Sequence, residues 1–528
     1  MTYDITLTHR QLCDLELILN GGFYPLDGFL TQQDYESVLS EMRLKCGAIW
    51  TIPICLDVDK NTAKSLKIGD LVTLRSAEYL PIAELEVASI WRADKLKEAQ
   101  AIFNTSDDFH PGVAHLLTQT AEYYIGGKTK EINSVPHYNF EKYRYTAQEL
   151  KAQFKAKGWQ AVVAFHTQKP MHKAQFELTK LAAKQANAKL LIHPVVGCGS
   201  SADADYSTNV HCYEKILPYY PNGFAMLALL NLSMRMAGGR ETVLYALIRK
   251  NFGCTHFIID NDYADICDKN GVPYYNANAV KQLLKSLQGD LGIEILDFDE
   301  ICLTKISDAE FSQKLEQNLP IPAGFSFPEV VAELQKLHPP KHQQGVVILL
   351  TGLSGSGKSS IANALSIKLS ETDKRHISLL DGDIIRQMLS PELTFSKEDR
   401  ELHSQRIGFV ASKISSAKGI VICALIAPYA KARESFKRKV EDENTNFFEV
   451  YLSTPLKTCE ARDRKGLYAL ARQGKIANFT GINHPYEIPK EANIAIDTSN
   501  ISIEQSIAKI MASLAKNNYI ETSVIADD

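Results

Sequence analysis

Residues 345 to 365, GVVILLTGLSGSGKSSIANAL, hold a glycine-rich loop between an apolar run and a helical pattern, and no other stretch so narrows the folds open to the chain. The partly β-branched run Val346, Val347, Ile348, Leu349 and Leu350 predicts a buried strand. The spacing Gly352-x-x-x-x-Gly357-Lys358-Ser359 then turns the chain into a helix expected to begin near Ser360. Glycines let consecutive N–H groups point into one concavity, where a helix N-terminus adds partial positive charge and Lys358 a full one. Such a nest fits a triphosphate. Gly352, Ser354, Gly355, Ser356, Gly357, Lys358, Ser359 and Ser360 are the predicted nucleotide-binding residues, with the Ser359 hydroxyl offered to a magnesium ion.

Around this loop there is room for more than one core, since 528 residues at about 150 per domain correspond to roughly three or four folding units. The net charge of -4 leaves no global basic field, so neither nucleic acid nor an anionic membrane is expected as a partner, and anions must be held by local clusters. Ten cysteines are scattered without a Cys-x-x-Cys pair or a histidine spaced to complete a zinc site, and are read as mostly buried, reduced thiols. MTYDITLTHR lacks the pattern of a signal peptide, and no apolar run approaches the roughly 18 residues of a membrane span. A cytoplasmic protein is expected.

From Ile5 to about Asn139, short apolar stretches alternate with turn signals, and segments such as LVTLR and IAELEVASI carry the period of two that predicts strands. The character changes near residue 146. TAQELKAQFKAKG reads as an amphipathic helix with a Thr cap and a Gly stop, followed by the buried strand WQAVVAF. Strands at KLLIHPVVG and THFIID then alternate with helices at HKAQFELTKLAAKQA and ETVLYALIRKNFG, which implies a parallel sheet covered on both faces. HPPKHQQG, at 338 to 345, reads as an exposed linker. Beyond it a second alternation, through RHISLLDGD, GIVICALIAPY and NFFEVYLST, predicts another doubly wound α/β unit.

In that last unit Asp381 and Asp383 fall at a strand end, where open α/β sheets bind ligands. Two carboxylates there suit a magnesium partner and an acceptor for the proton of an attacking hydroxyl, so Lys358, Asp381 and Asp383 are the predicted catalytic residues, with Ser359 and Asp383 at the metal. Arg462, Arg464, Lys465, Arg472 and Lys475 stand among Gly466 and Gly474, a pattern that suits a lid closing on phosphoryl groups. The elements GLSGSGKSS, LDGD, FSKEDR, RIG, KGLYALARQG and FTGI-x-x-PYE-x-P occur in the order found in adenylylsulfate (APS) kinase, and residues 345 to 515 resemble that family. The resemblance implies transfer of the γ-phosphoryl of ATP to the 3′-hydroxyl of APS, with ATP and Mg²⁺ required. It also implies that Phe395 and Phe479 sandwich the adenine and that Arg386, Arg400 and Lys465 lie near the sulfate and phosphate groups. Three positions depart from the family pattern: Ile384 and His403 each replace Asn, and Ala427 replaces Ser before Pro428-Tyr429. His403 completes the predicted substrate set, and the swaps alter groups that select among substrates.

Residues 1 to about 325 resemble ATP sulfurylase, on LNGGFYPLDGF, PHYNFEKYR, GW-x-x-VVAF, MRMAG-x-RE and LIRKNFGCTHFI. In that family sulfate attacks the α-phosphorus of ATP and pyrophosphate leaves. The resemblance implies an α/β chain of several domains: a β-rich, PUA-like domain over 1–145, a Rossmann-like nucleotidyltransferase domain over 146–330, a linker over 331–344 and a P-loop kinase domain over 345–520. It also implies a homo-oligomer. The family string Gln-x-Arg-Asn-Pro-x-His-x-x-His reads here from His166 through Gln168, Lys169, Pro170 and His172 to Gln175, so the arginine and one histidine are gone. Lys169 restores a charge one position later, but Lys does not replace the bidentate fork of Arg. Two further strings, Gly197 to Asp203 and Asp260 to Asp265, have lost a lysine, an arginine and a histidine. Lys169 and His172 are nonetheless the predicted catalytic residues of this half, with Gln168 and Arg235 at the substrate and Arg240 and Arg249 as further phosphate contacts. Three readings stand: a two-step sulfate-activating enzyme; the same chemistry on another oxyanion or nucleotide conjugate; or an active kinase beside a silent scaffold or nucleotide sensor.

Overall fold

The computed structural model describes residues 3–197, 206–259, 266–298, 306–317, 319–337, 339–463 and 465–521, apart from the side chains of Asp308, Glu316, Leu337 and Asp383. The altered strings at 198–203 and 260–265, together with Arg464, therefore lie outside the described residues. The chain forms two compact units, Met1–Ser307 with Ile321–Leu334, and Asp308–Pro320 with Gln335–Asp528.

The first unit contains two sheets. The N-terminal sheet comprises β1 (Tyr3–Thr6), β2 (Gly28–Phe29), β3 (Leu56–Val58), β4 (Leu71–Arg75), β5 (Pro81–Arg92) and β6 (Tyr123–Glu131), in the order β1-β4-β5-β6-β2 with β3 also on β6. Only the β1–β4 pair is parallel. The segments LVTLR and IAELEVASI fall in β4 and β5, as their alternation predicts. The second sheet, β7 (Val162–Phe165), β8 (Lys189–Ile192), β9 (Ala225–Leu227), β10 (His256–Ile258) and β11 (Glu294–Leu296), is parallel in the order β11-β10-β7-β8-β9. The helix Ala147–Ala156 precedes β7, capped by Thr146 with Glu149 completing a capping box. One hydrophobic core runs through both sheets, from Leu15 and Trp50 to Val162, Leu191 and Phe257.

The second unit holds a parallel sheet of β12 (Val346–Gly352), β13 (Ile377–Asp381), β14 (Ile420–Ala424), β15 (Asn446–Leu452) and β16 (Ile494–Ile496), ordered β13-β14-β12-β15-β16. The central strand is apolar without alternation because both its faces are covered. Val346, Ile348 and Leu350 join a core with residues of the helices Lys358–Thr372 and Ile503–Lys516. Val347 and Leu349 join another with residues of the helices Lys397–Ser416 and Ala430–Glu441.

The expected linker is not an exposed coil. Residues Pro328–Leu337 form a helix that buries Val330 and Leu334, one turn apart, and Pro339 and Pro340 beyond it are buried as well. The apolar spacing within PEVVAELQKL carries that helix, while the polar residues after it suggested a tether. Eight described cysteines form no disulfide, five of them buried, and no described helix is long and apolar enough to cross a membrane.

Candidate active site

Strand β12 lies between β14 and β15, so the chain leaves it where the direction of winding reverses, the place at which open sheets bind ligands. The loop that follows needs left-handed backbone at Gly355 and Gly357, with φ of 75° and 96°. Gly357 itself caps the helix Lys358–Thr372, which therefore starts two residues before the expected Ser360. A Cβ on Gly355 would lie 2.8 Å from the carbonyl oxygen of Cys459. The left-handed backbone alone costs a side-chain-bearing residue about 1–2 kcal/mol. Gly355→Ala is accordingly expected to weaken ATP binding about tenfold or more, measured by calorimetric titration.

Lys358 Nζ donates to the carbonyls of Gly352 at 3.0 Å and Leu353 at 2.7 Å, tying the ammonium to the loop it serves. Ser359 Oγ donates to Asp381 Oδ2 at 2.7 Å. These are two hard oxygen groups beside a phosphate loop, a donor set that suits Mg²⁺, which typically takes one or two carboxylates plus water and phosphate oxygens. Asp381 ends β13; Asp383 lies in the first turn of the helix Gly382–Leu389.

A cavity of about 840 Å³ opens here, lined by Ser354, Gly355, Gly357, Lys358, Ser359 and Ser360 of the loop. Ser356 is buried beneath it, with its hydroxyl unpaired, and Gly352 acts through its carbonyl. The same cavity is lined by Asp381, Arg386, Phe395, Arg400, His403, Lys465 and Phe479, so the predicted kinase residues with described side chains converge. Arg386 donates to the carbonyls of Leu393 and Thr394 and lies 4.4 Å from the Phe395 ring centre. Arg400 donates to Phe395 O at 3.0 Å and Asn478 O at 2.8 Å, and its guanidinium stands 5.4 Å from the same ring. Phe395 is thus held by two cations, and Phe479 meets Tyr468 edge to face at 5.0 Å.

The basic lid is partly structural. Arg462 donates to Thr498 and Arg472 pairs with Glu460 at 2.8 Å, while the short helix Leu467–Arg472 lies between Gly466 and Gly474, both left-handed. Tyr468, whose hydroxyl donates to Ser354 O at 2.9 Å, couples that helix to the phosphate loop; its place in KGLYAL was the only sequence signal for it.

His403 accepts or donates at 3.0 Å with Ser390 Oγ, and burial together with Arg386 and Arg406 pushes its pKa down to about 4. The unfolded chain takes up this proton near the ordinary 6.5, so stability falls as pH drops from 6.5 towards 4. His403→Asn removes that slope. The melting temperature of its second unit, relative to the parent, is expected to rise by about 2–4 °C between about pH 8 and about pH 5 in calorimetry.

In the first unit β7 is the central strand at which the winding reverses, and His166 leaves its carboxyl end. Gln168 is half-buried, its carbonyl accepting from Asn209 at 3.0 Å, and Lys169 is exposed. His172 caps the helix Lys173–Gln185, with Nδ1 2.8 Å from Ser326 Oγ and its ring against Phe325. Gln175, standing where the family has histidine, accepts from the His172 N–H at 3.1 Å and so helps close the helix end.

Two predicted anion contacts are corrected. Arg235 is buried and pairs with Asp14 at 2.5 Å, and Arg240 donates to the carbonyls of Val38, Leu39 and Thr51. Both are engaged by residues of the N-terminal sheet region, which they tie to the region of the second sheet. Arg249 is fully buried, donating to His166 Nδ1 at 2.8 Å and His193 O at 3.1 Å, and burial lowers its pKa to about 10. His166 and His193 are both held neutral, chiefly by burial and then by that guanidinium. No local spacing marks this cluster, which forms from residues up to 83 positions apart.

Family models for the PUA-like domain, ATP-sulfurylase and adenylylsulphate kinase match residues 2–134, 141–337 and 344–497. A sulfate adenylyltransferase from Emericella nidulans is 43% identical over 98% of this chain and 94% of its own, and one from Aspergillus oryzae is 41% identical over the same shares. A solved structure described as a hexameric APS kinase from Thiobacillus denitrificans has a TM-score of 0.76 and 28% identity, covering 98% of this chain and 94% of that one. Because that likeness runs through all three segments and ends on a loop and cavity shaped for phosphoryl transfer, the chain belongs to the sulfate adenylyltransferase family, as an ATP sulfurylase domain fused to an adenylylsulfate kinase domain and preceded by a PUA-like domain.

Proposed function

We propose that the kinase unit transfers the γ-phosphoryl group of ATP to the 3′-hydroxyl of APS, and that the sulfurylase unit adenylylates sulfate only slowly. The observation that carries the first part is the convergence of Lys358, the Ser359–Asp381 pair and the Arg386, Phe395 and Arg400 cluster on one cavity. Phosphoryl transfer asks for positioning and charge neutralisation, which this set supplies. The loop amides and Lys358 hold the ATP phosphates. Ser359 and Asp381 are the residues that would hold Mg²⁺, which when bound neutralises charge on the phosphates. Asp383, predicted at the metal and as a catalytic carboxylate, lies in the first turn of the helix Gly382–Leu389 with its side chain outside the described residues, and its proposed role as acceptor of the hydroxyl proton rests on the sequence pattern. Arg386, Arg400, His403 and Lys465 face the anionic end of APS, with Phe395 and Phe479 at its adenine.

What supports the second part is how the first unit uses its cations. Arg235 and Arg240 are engaged by the framework, Arg249 is buried, and Gln168 stands where the family has arginine. Among the described members of the predicted set, Lys169 is the exposed cation. The reduced cysteines fit a cytoplasmic setting, and the hexameric neighbour suggests that this chain also works as a homo-oligomer. APS-dependent formation of ADP from ATP tests the kinase reading; ADP release that ignores APS would overturn it.

A further inference from the structure

Ser390 follows the helix Gly382–Leu389 and is fully buried, and its hydroxyl oxygen touches two groups. His403 Nδ1 is 3.0 Å away and Arg406 Nη1 is 3.5 Å away. A guanidinium has no acceptor, so among the described residues the Ser390 proton has one place to go, His403 Nδ1. Arg406 is itself anchored by Leu389 O at 2.8 Å and Glu392 at 2.5 Å, which keeps a cation beside the hydroxyl oxygen and turns its proton towards the imidazole. A ring that accepts at Nδ1 carries its own proton at Nε2. With Nδ1 turned to Ser390, Nε2 is the nitrogen left for the cavity that His403 lines.

We infer that Ser390 is a positioning residue that locks His403 as a neutral imidazole whose Nε2–H is offered to the substrate anion, in place of the side-chain amide expected at this position. The inference rests on the kinase reading. Without the lock the ring can present a lone pair instead, which repels a phosphate or sulfate oxygen. Burial, and then Arg386 and Arg406, oppose a proton on both nitrogens, so the tautomer, and not the charge, is what Ser390 sets. A cavity already holding Arg386, Arg400 and Lys465 gains a donor with direction and no further cation.

The test is steady-state kinetics of the full chain, with a double-mutant comparison. Ser390→Ala is expected to raise KM for APS about tenfold, with KM for ATP and kcat within about twofold. Ser390→Thr, which keeps the hydroxyl, is expected to restore it. In a His403→Leu background Ser390→Ala is expected to do nothing further, because a side chain with no polar atom has no donor for Ser390 to aim. An unchanged KM for APS in Ser390→Ala, or an equal rise in both backgrounds, overturns the inference and leaves the kinase reading intact. Should Ser390→Ala fail to fold, Ser390→Cys, a weak donor, replaces it, with an intermediate rise expected and no rise overturning the idea. A parent protein that makes no product from APS sinks the kinase reading instead.

Discussion

Lys358→Ala is expected to lower the rate of APS phosphorylation about 1,000-fold, with ATP binding weakened far less. A cation placed against the transferring phosphoryl group is worth roughly 10³–10⁵ in rate, because its charge is fixed where negative charge gathers. Lys358 is held for that task by the carbonyls of Gly352 and Leu353, so it needs little reorganisation when ATP arrives. Removing it unpairs the carbonyls of Gly352, which is buried, and Leu353, which is half-buried, and the melting temperature of the kinase unit is expected to fall by about 2–4 °C. Lys358→Arg is expected to fail as a substitute, since a planar fork does not reproduce a compact ammonium between two carbonyls and a phosphate. The measurement is coupled detection of ADP with APS saturating; a variant that retains its rate would sink the assignment of the loop.

The kinase site was legible because its requirements are local. A strand, two left-handed glycines, a lysine and a hydroxyl must follow one another within about a dozen residues for the backbone to form the nest, and a one-dimensional string records that. The same holds for the Thr146 cap with Glu149 three residues on. Pairings across the chain left no such trace. Arg235 reads like any exposed arginine until Asp14, 221 positions earlier, is brought against it. The unbroken core under the first two sheets is equally invisible in a text whose character changes at residue 146, since burial against a distant segment looks the same as burial against a near one. The helix Pro328–Leu337 is hard to see for a related reason: among its described side chains Val330 and Leu334 are the buried aliphatic ones, too short a pattern to stand out before a proline and histidine run.

In the first unit the expected result is that pyrophosphate release from ATP with sulfate is slow, and that Gln168→Arg with Gln175→His raises it about tenfold without reaching a rate that keeps pace with the kinase. The loss of one preorganised donor typically costs about 100-fold to 1,000-fold in rate, and the segment after β7 has lost an arginine from its loop, at Gln168, and a histidine from the first turn of the helix that follows, at Gln175. Restoring both returns a guanidinium to position 168, on a segment whose backbone is already anchored by Asn209 and Tyr213. The gain is limited from two directions. Gln175 now accepts from the His172 N–H, and removing that contact loosens the start of the helix Lys173–Gln185 by about 1 kcal/mol, which blurs the position of the restored histidine. The strings at 198–203 and 260–265 also keep their altered residues, so oxyanion donors outside the loop stay absent. The assay follows pyrophosphate with sulfate and with a panel of other oxyanions and small acids. Brisk release from the parent chain with sulfate would overturn the slow-sulfurylase reading. Release with another acid alone, combined with no gain from the two substitutions, would mean a pocket rebuilt around a different nucleophile, because a site that has merely decayed regains rate when its donors return, whereas one reshaped for a new acid does not.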